Sequence, residues 1–202
     1  MTTLDSQLKS IEGQTSKFND YIDNQVKKNI GDIANLDQNQ FNQQLPSIAA
    51  DLHTVIRQEI SPDSATLRTI SAKLEKAPQD HPGYWPASGA LVSAKSAVGK
   101  SNSSLSEALS LPDCPRPSGV FFGVHFDADH CAVVLDGWNY TDSTFRNAVI
   151  KYRGGPLVLR NTSFVNCIFI VELPNDPAKP AQAFTRELLA SSDLEKILIN
   201  SA

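Results

Sequence analysis

The N-terminal segment carries a narrow stripe of apolar side chains at helical spacing. The apolar positions recur mostly every three or four residues, and Thr15 fills the one gap. They are Leu4, Leu8, Ile11, Phe18, Ile22, Val26, Ile30 and Ile33. This spacing predicts an amphipathic helix whose seam is close to that of a coiled coil, with polar residues on every other face. Such a helix cannot bury its stripe alone, so we expect it to pack against another helix of the chain or a second copy.

Further helices are expected in the first half of the chain. Gly31 and Pro46 indicate breaks in the helical pattern. A second helix is predicted over 47–59 from its inward-facing Ile and Leu residues. The sequence Ser61-Pro62-Asp63 is a helix start signal, since Ser caps free amides and Pro suits the first turn. It predicts a third helix that stops before residue 78.

The stretch that follows is rich in Pro and Gly. Residues 78–90 predict a loop in which Tyr84 and Trp85 act as an aromatic anchor. Short helices are expected near 91–98 and 105–109. Together these patterns predict a helical, coiled-coil-like region over 1–111, formed as an antiparallel hairpin or bundle. Residues 112–119 contain three prolines and a glycine, and they predict a linker between domains.

The second half has the pattern of short strands, and part of it repeats. Residues 142–150 align with residues 161–169 at a constant offset of 19 residues. In this alignment Phe145 matches Phe164, Asn147 matches Asn166, and a small Ala matches Cys167. A period near 20 in strand-rich sequence is typical of a β-solenoid. The Phe and Cys side chains would then stack in a narrow interior, and the Asn side chains would form a ladder at the turns.

These Phe-x-Asn-(Ala/Cys)-x-(Ile/Phe) units resemble those of short right-handed β-helix and pentapeptide-repeat-like proteins. The resemblance implies a short β-solenoid over 120–174. The spacing of Phe184, Leu188 and Leu189 predicts a capping helix within 175–202, so the whole chain is expected to be α+β. The alternative is an antiparallel meander or small sandwich in which the match is accidental. A stack of two or three coils leaves both ends of its core open, so it needs caps or self-association.

Composition and charge narrow the function classes. The chain has 202 residues and a net charge of −4, which argues against a general nucleic-acid binder because such a protein needs a basic face. No apolar run approaches the length that spans a bilayer, and no secretory signal is visible, so we expect a cytoplasmic protein without a membrane partner. The three cysteines lack a Cys-x-x-Cys pair, and we expect them to be reduced.

Two short motifs are candidates for chemistry. Ala94 to Ser101 fits a relaxed phosphate-loop pattern with Gly99 and Lys100, but neither a buried strand before it nor a strong helix after it is evident. His125, Asp127 and Asp129 alternate along a predicted strand, so one face would offer an imidazole and two carboxylates to a divalent metal. The simpler interpretations are a small-residue turn and a solvated strand face.

We therefore expect a non-enzymatic interaction protein that forms a homo-oligomer and presents a rigid β surface to a protein partner, with no cofactor. The alternative is a small metal-dependent hydrolase that uses His125, Asp127 and Asp129. A polysaccharide-cleaving enzyme is disfavoured because the predicted stack is too short for a groove. An acidic mimic of nucleic acid is disfavoured by the modest net charge.

Overall fold

The computed structural model describes most of the chain and shows an α+β protein, with a helical N-terminal region and a strand-rich C-terminal region. The described residues form seven helices and ten strands. They are residues 3–58, 60, 63–100, 102–115, 121–123, 125–127, 130–191, 194 and 196–199.

Four helices form the first part of the helical region. They are α1 (Thr3–Asn35), α2 (Gln38–Gln43), α3 (Leu45–Arg57) and α4 (Ser64–Leu74). Asp37 caps α2 through a capping box with Gln40, and Asp63 caps α4 by accepting from the amide of Thr66. The break predicted at Gly31 was wrong, because helix α1 continues through it. The break predicted at Pro46 is confirmed: α2 ends at Gln43, and Pro46 lies in the first turn of α3, where its missing N–H costs nothing.

The apolar stripe of α1 is divided between the core and solvent. Its C-terminal part packs against α3 and α4 and buries Val26, Ile30 and Ile33. Its N-terminal part leaves Leu8, Ile11 and other large apolar side chains exposed. At 1.5 Å per residue, the 33 residues of α1 extend for about 50 Å, so the helix projects well beyond the helices that cover its end.

Helix α5 (Tyr84–Ala97) is the centre of the molecule, and its first half corrects the prediction of a loop over 78–90. Twelve of its fourteen residues are buried. It packs against α3 and α4 on one side and against the strand region on another. A helix that is buried all round has no amphipathic period to detect. Its Ala, Ser and Gly residues, with Pro86 in the first turn, therefore resembled a loop.

The strand region contains three sheets, and among β1 to β9 the neighbouring strands of each sheet are separated by two other strands along the chain. One sheet holds β1 (Phe121–Phe122), β4 (Trp138–Thr141) and β7 (Leu157–Arg160). The second holds β2 (His125–Asp127), β5 (Thr144–Arg146), β8 (Thr162–Val165) and β10 (Lys196–Ile199). The third holds β3 (Ala132–Val134), β6 (Val149–Tyr152) and β9 (Ile168–Val171). Every described pair among β1 to β9 is parallel, which rules out an antiparallel meander.

The last elements of the chain cover one end of these sheets. Helix α7 (Lys179–Ala190) places Phe184 against Phe164 and Tyr152. Strand β10 adds to β8 as an antiparallel edge. Helix α5 covers β9, where the hydroxyls of Ser93 and Ser96 accept from strand amides. Helix α7 also contacts β7, so segments of the same chain cover the last parallel strand of all three sheets.

A disulfide and a sixth helix lie beside the first strands. Helix α6 (Asn102–Ser110) places Ala108 in a small apolar cluster with residues of β3 and β6. The segment after α6 runs parallel to β3 through a bridge between Asp113 and Ala132, and Cys114 is joined to Cys131. The expectation of reduced thiols was wrong for this pair, because the bridge brings the two chain segments side by side. Part of the predicted linker 112–119 is thus tied to the sheet, and residues 116–119 lie outside the described residues.

One continuous core joins the helical and strand regions. Buried apolar residues extend from Val26 in α1 through α5 to Phe164 and Ile199 in the sheets. Within the described part of the chain, no helix is both long enough and apolar enough to cross a membrane.

Candidate functional site

The residues of the predicted ladder lie in register in the second sheet and at the turn that follows it. Phe145 pairs with Phe164, and their rings stack with centroids 5.0 Å apart. Asn166 donates from Nδ2 to Oδ1 of Asn147 at 2.8 Å, and both have a positive φ near 50°. Cys167 is buried in the next position, and burial raises the pKa of its thiol. Aromatic stacking and amide hydrogen bonding thus repeat at the same 19-residue offset.

A second ladder at another turn was missed by the sequence interpretation. Asn161 donates from Nδ2 to Oδ1 of Asp142 at 2.7 Å, and both residues again have a positive φ. Asn and Asp tolerate this left-handed conformation better than other side chains do. The offset is again 19 residues, so the alignment already contained the signal.

The metal candidates are only partly within the described structure. The backbones of His125 and Asp127 belong to β2, whose pairing with β5 matches them to Thr144 and Arg146. Their side chains, and Asp129 altogether, lie outside the described residues. Among the side chains that the structure does describe, no group of three metal-ligating residues comes together. The metal site stays a prediction from sequence.

The phosphate-loop interpretation of Ala94 to Ser101 is contradicted. A phosphate loop requires a strand before its glycines, whereas Ala94 lies inside helix α5 and is fully buried. Gly99 does turn with a positive φ, and Lys100 then reaches across to the side-chain oxygen of Asn166. Lys100 therefore contacts the turn at Asn166 and is not part of a phosphate loop.

Four Tyr and Trp side chains that could in principle stack on a ligand are largely internal. Tyr84, Trp85 and Tyr140 are buried, and Trp138 is partly buried. Burial raises the pKa of Tyr140 to about 12, which is the environment of a core phenol and not of a titrating one. These rings contribute to packing in the described structure.

The exposed half of α1 is the most unusual surface feature. Leu8, Ile11 and Phe18 are each about 60% exposed, at 58%, 61% and 63%, and Tyr21 beside them is 60% exposed. The first three residues lie on one face because they are spaced by three and seven positions. Monomeric proteins commonly expose single apolar side chains, whereas a row on a projecting helix is typical of an interaction site.

Comparison with known proteins gives no relative from which a role could be transferred. The chain matched no protein-family model, no curated protein sequence and no solved structure.

Proposed function

We propose that this protein is a non-enzymatic scaffold that self-associates through the exposed half of α1 and presents a rigid β surface to a protein partner. The observation that carries the proposal is the row of Leu8, Ile11 and Phe18 on a helix segment that packs on nothing else in the described structure. An isolated helix segment of this length is only marginally stable in water. Gly13 weakens it further by about 1 kcal/mol relative to Ala.

The exposed area is adequate for association of two copies. The four exposed side chains of α1, including Tyr21, present on the order of 500 Å² per chain. Two chains would bury about 1,000 Å² in total, which is the lower bound of specific interfaces. A second copy is the natural occupant, because the 3.5-residue spacing from Leu8 to Ile22 matches an identical helix under coiled-coil packing.

The charges beside the stripe favour a parallel arrangement. With Leu8 and Ile11 as core positions, a parallel pair places Glu12 next to Gln7 of the other copy, and Gln14 next to Asn19. These pairs contain no like charges. An antiparallel pair that superposes the same core residues places Glu12 of one copy beside Glu12 of the other. The repulsion between these two carboxylates destabilises that arrangement.

We further propose that the strand region is a short β-solenoid. The parallel pairs among β1 to β9, each of which joins strand n to strand n + 3, support this interpretation, as do the stacked rings of Phe145 and Phe164. The outward row of the second sheet includes Thr144, Arg146 and Ser163, and Ser163 donates to the Thr144 hydroxyl at 2.9 Å. Side chains fixed on such a frame lose little freedom when a partner binds.

Sedimentation equilibrium at micromolar concentration tests the self-association. We expect the wild-type chain at twice its mass of 22.0 kDa, and the double variant Ile11→Glu with Phe18→Glu at the monomer mass. At each substituted seam position the carboxylates of the two copies repel each other, and the apolar burial of the original side chains is lost.

The control variant is Ser10→Glu with Ser16→Glu, which adds the same two charges to exposed positions outside the seam. It is expected to retain the wild-type mass. A wild-type chain that stays monomeric at tens of micromolar would refute the proposal, and so would equal dissociation of both double variants.

A further inference from the structure

A second feature, independent of α1, is a cavity between the helical region and the end of the strand region. Its volume is about 550 Å³, within the range of small-molecule sites. Helix α4, the C-terminal end of α5, the Asn166 turn and Leu194 form its walls. Its lining includes Leu67, Arg68, Lys95, Val98, Lys100 and Cys167.

Three basic side chains line this cavity, and carbonyl and amide oxygens hold two of them. Lys95 donates from Nζ to the backbone oxygens of Leu189 at 3.0 Å and Ser191 at 2.7 Å. The Nζ of Lys100 donates to Oδ1 of Asn166. These oxygens fix the ammonium groups in place without cancelling their charge.

No carboxylate forms an ion pair with these cations within the described structure. The ion pairs found there join Lys28 to Asp32 and Lys151 to Asp113, and neither pair lies at the cavity. Burial lowers the pKa of Lys95, with a smaller opposing effect of Glu75. A chain with a net charge of −4 thus gathers three positive groups around one concave surface.

The rest of the lining indicates the kind of anion. Leu67, Val98 and Leu194 give the cavity apolar walls beside the cations. Walls of low dielectric strengthen the attraction of a charged group, and a concave basic surface raises the local concentration of anions. Arg68 on α4 offers a planar fork that matches phosphate or carboxylate oxygens, and Lys100 offers a point charge.

We propose that this cavity binds a small organic anion through Arg68, Lys95 and Lys100, with the apolar part of the ligand against Leu67, Val98 and Leu194. The charged part of the ligand is a phosphate group or a set of two or more carboxylates, so that it carries at least about two negative charges. Binding is non-covalent and is separate from self-association through α1.

Isothermal titration calorimetry with phenyl phosphate, inorganic phosphate and citrate, at constant ionic strength, tests the site. We expect saturable binding, tighter for phenyl phosphate than for inorganic phosphate because of the apolar walls. The double variant Arg68→Gln with Lys100→Gln is expected to weaken binding at least about tenfold, since two charge-assisted contacts are lost. The control is Lys76→Gln with Lys179→Gln, which has the same net charge as the first double variant. It changes two exposed lysines outside the cavity lining and is expected to bind the anions like the wild type.

A second readout uses the wild-type chain alone. Saturating phenyl phosphate is expected to raise the thermal unfolding midpoint of the chain, because a ligand that binds only the folded state stabilises it. The proposal is overturned if none of the three anions binds saturably, if both double variants lose affinity equally, or if saturating phenyl phosphate leaves the unfolding midpoint unchanged.

Discussion

Replacing Phe164 with alanine is expected to lower the free energy of unfolding by about 3–5 kcal/mol. The ring is fully buried and stacks on Phe145, with Phe169 and Phe184 against its other sides. Removing it leaves a cavity between the strands and the covering helix α7, and neither can close it without breaking the sheet. The loss is a large fraction of the 5–15 kcal/mol that typically stabilises a domain.

Chemical denaturation at one fixed protein concentration measures this effect, because self-association would make stability depend on concentration. Val165→Ala is the control, since this neighbour in the same strand points outward and is half-buried. We expect Val165→Ala to lower the free energy of unfolding by less than about 1.5 kcal/mol. Equal losses for the two variants would contradict the internal stacking of the phenylalanines.

Replacing Gly89 with alanine is expected to destabilise the protein by about 3 kcal/mol, although alanine is the better helix former. A Cβ atom at this position would lie 2.9 Å from the backbone oxygen of Val171. To relieve this steric clash, helix α5 would have to move away from β9. That movement stretches the hydrogen bond from the Val171 amide to Ser93, which is 2.8 Å long and buried.

Gly31→Ala is the matched control for this prediction. Gly31 is also a helix-interior glycine, but a Cβ atom there meets nothing within 4 Å. We expect this variant to gain up to about 1 kcal/mol. Thermal unfolding of the two variants should therefore move in opposite directions, and a Gly89 variant as stable as the wild type would show that α5 and β9 are not in close contact.

The repeat and the stripe were visible in the sequence because each obeys a simple period. Phe145 and Phe164 occupy equivalent positions in paired strands, so the 19-residue offset had the same physical cause as the contact. Leu8, Ile11 and Phe18 revealed a helical face, and the spacing correctly placed them on one side of α1. The sequence did not show which part of the stripe would stay exposed, since that depends on where α3 and α4 end.

Features that depend on contacts between distant segments were not predictable in this way. Helix α5 has no amphipathic period, and its Ser93 and Ser96 hydroxyls act on strand amides more than 70 residues away. The Cys114–Cys131 bridge follows from a parallel alignment that the spacing of 17 residues does not reveal. Likewise, Arg68 and Lys100 line one cavity only because α4 packs beside α5.

The proposed scaffold role depends most directly on whether two copies of α1 pair, and site-directed cross-linking measures this pairing. A chain with Ile11→Cys, oxidised at micromolar concentration, is expected to form a covalent dimer, because identical seam residues face each other in a parallel pair. Ser10→Cys, one position around the helix, is expected to remain monomeric under denaturing, non-reducing electrophoresis. Cross-linking of both variants to the same extent, or of neither, would contradict self-association through a parallel pair of α1 helices.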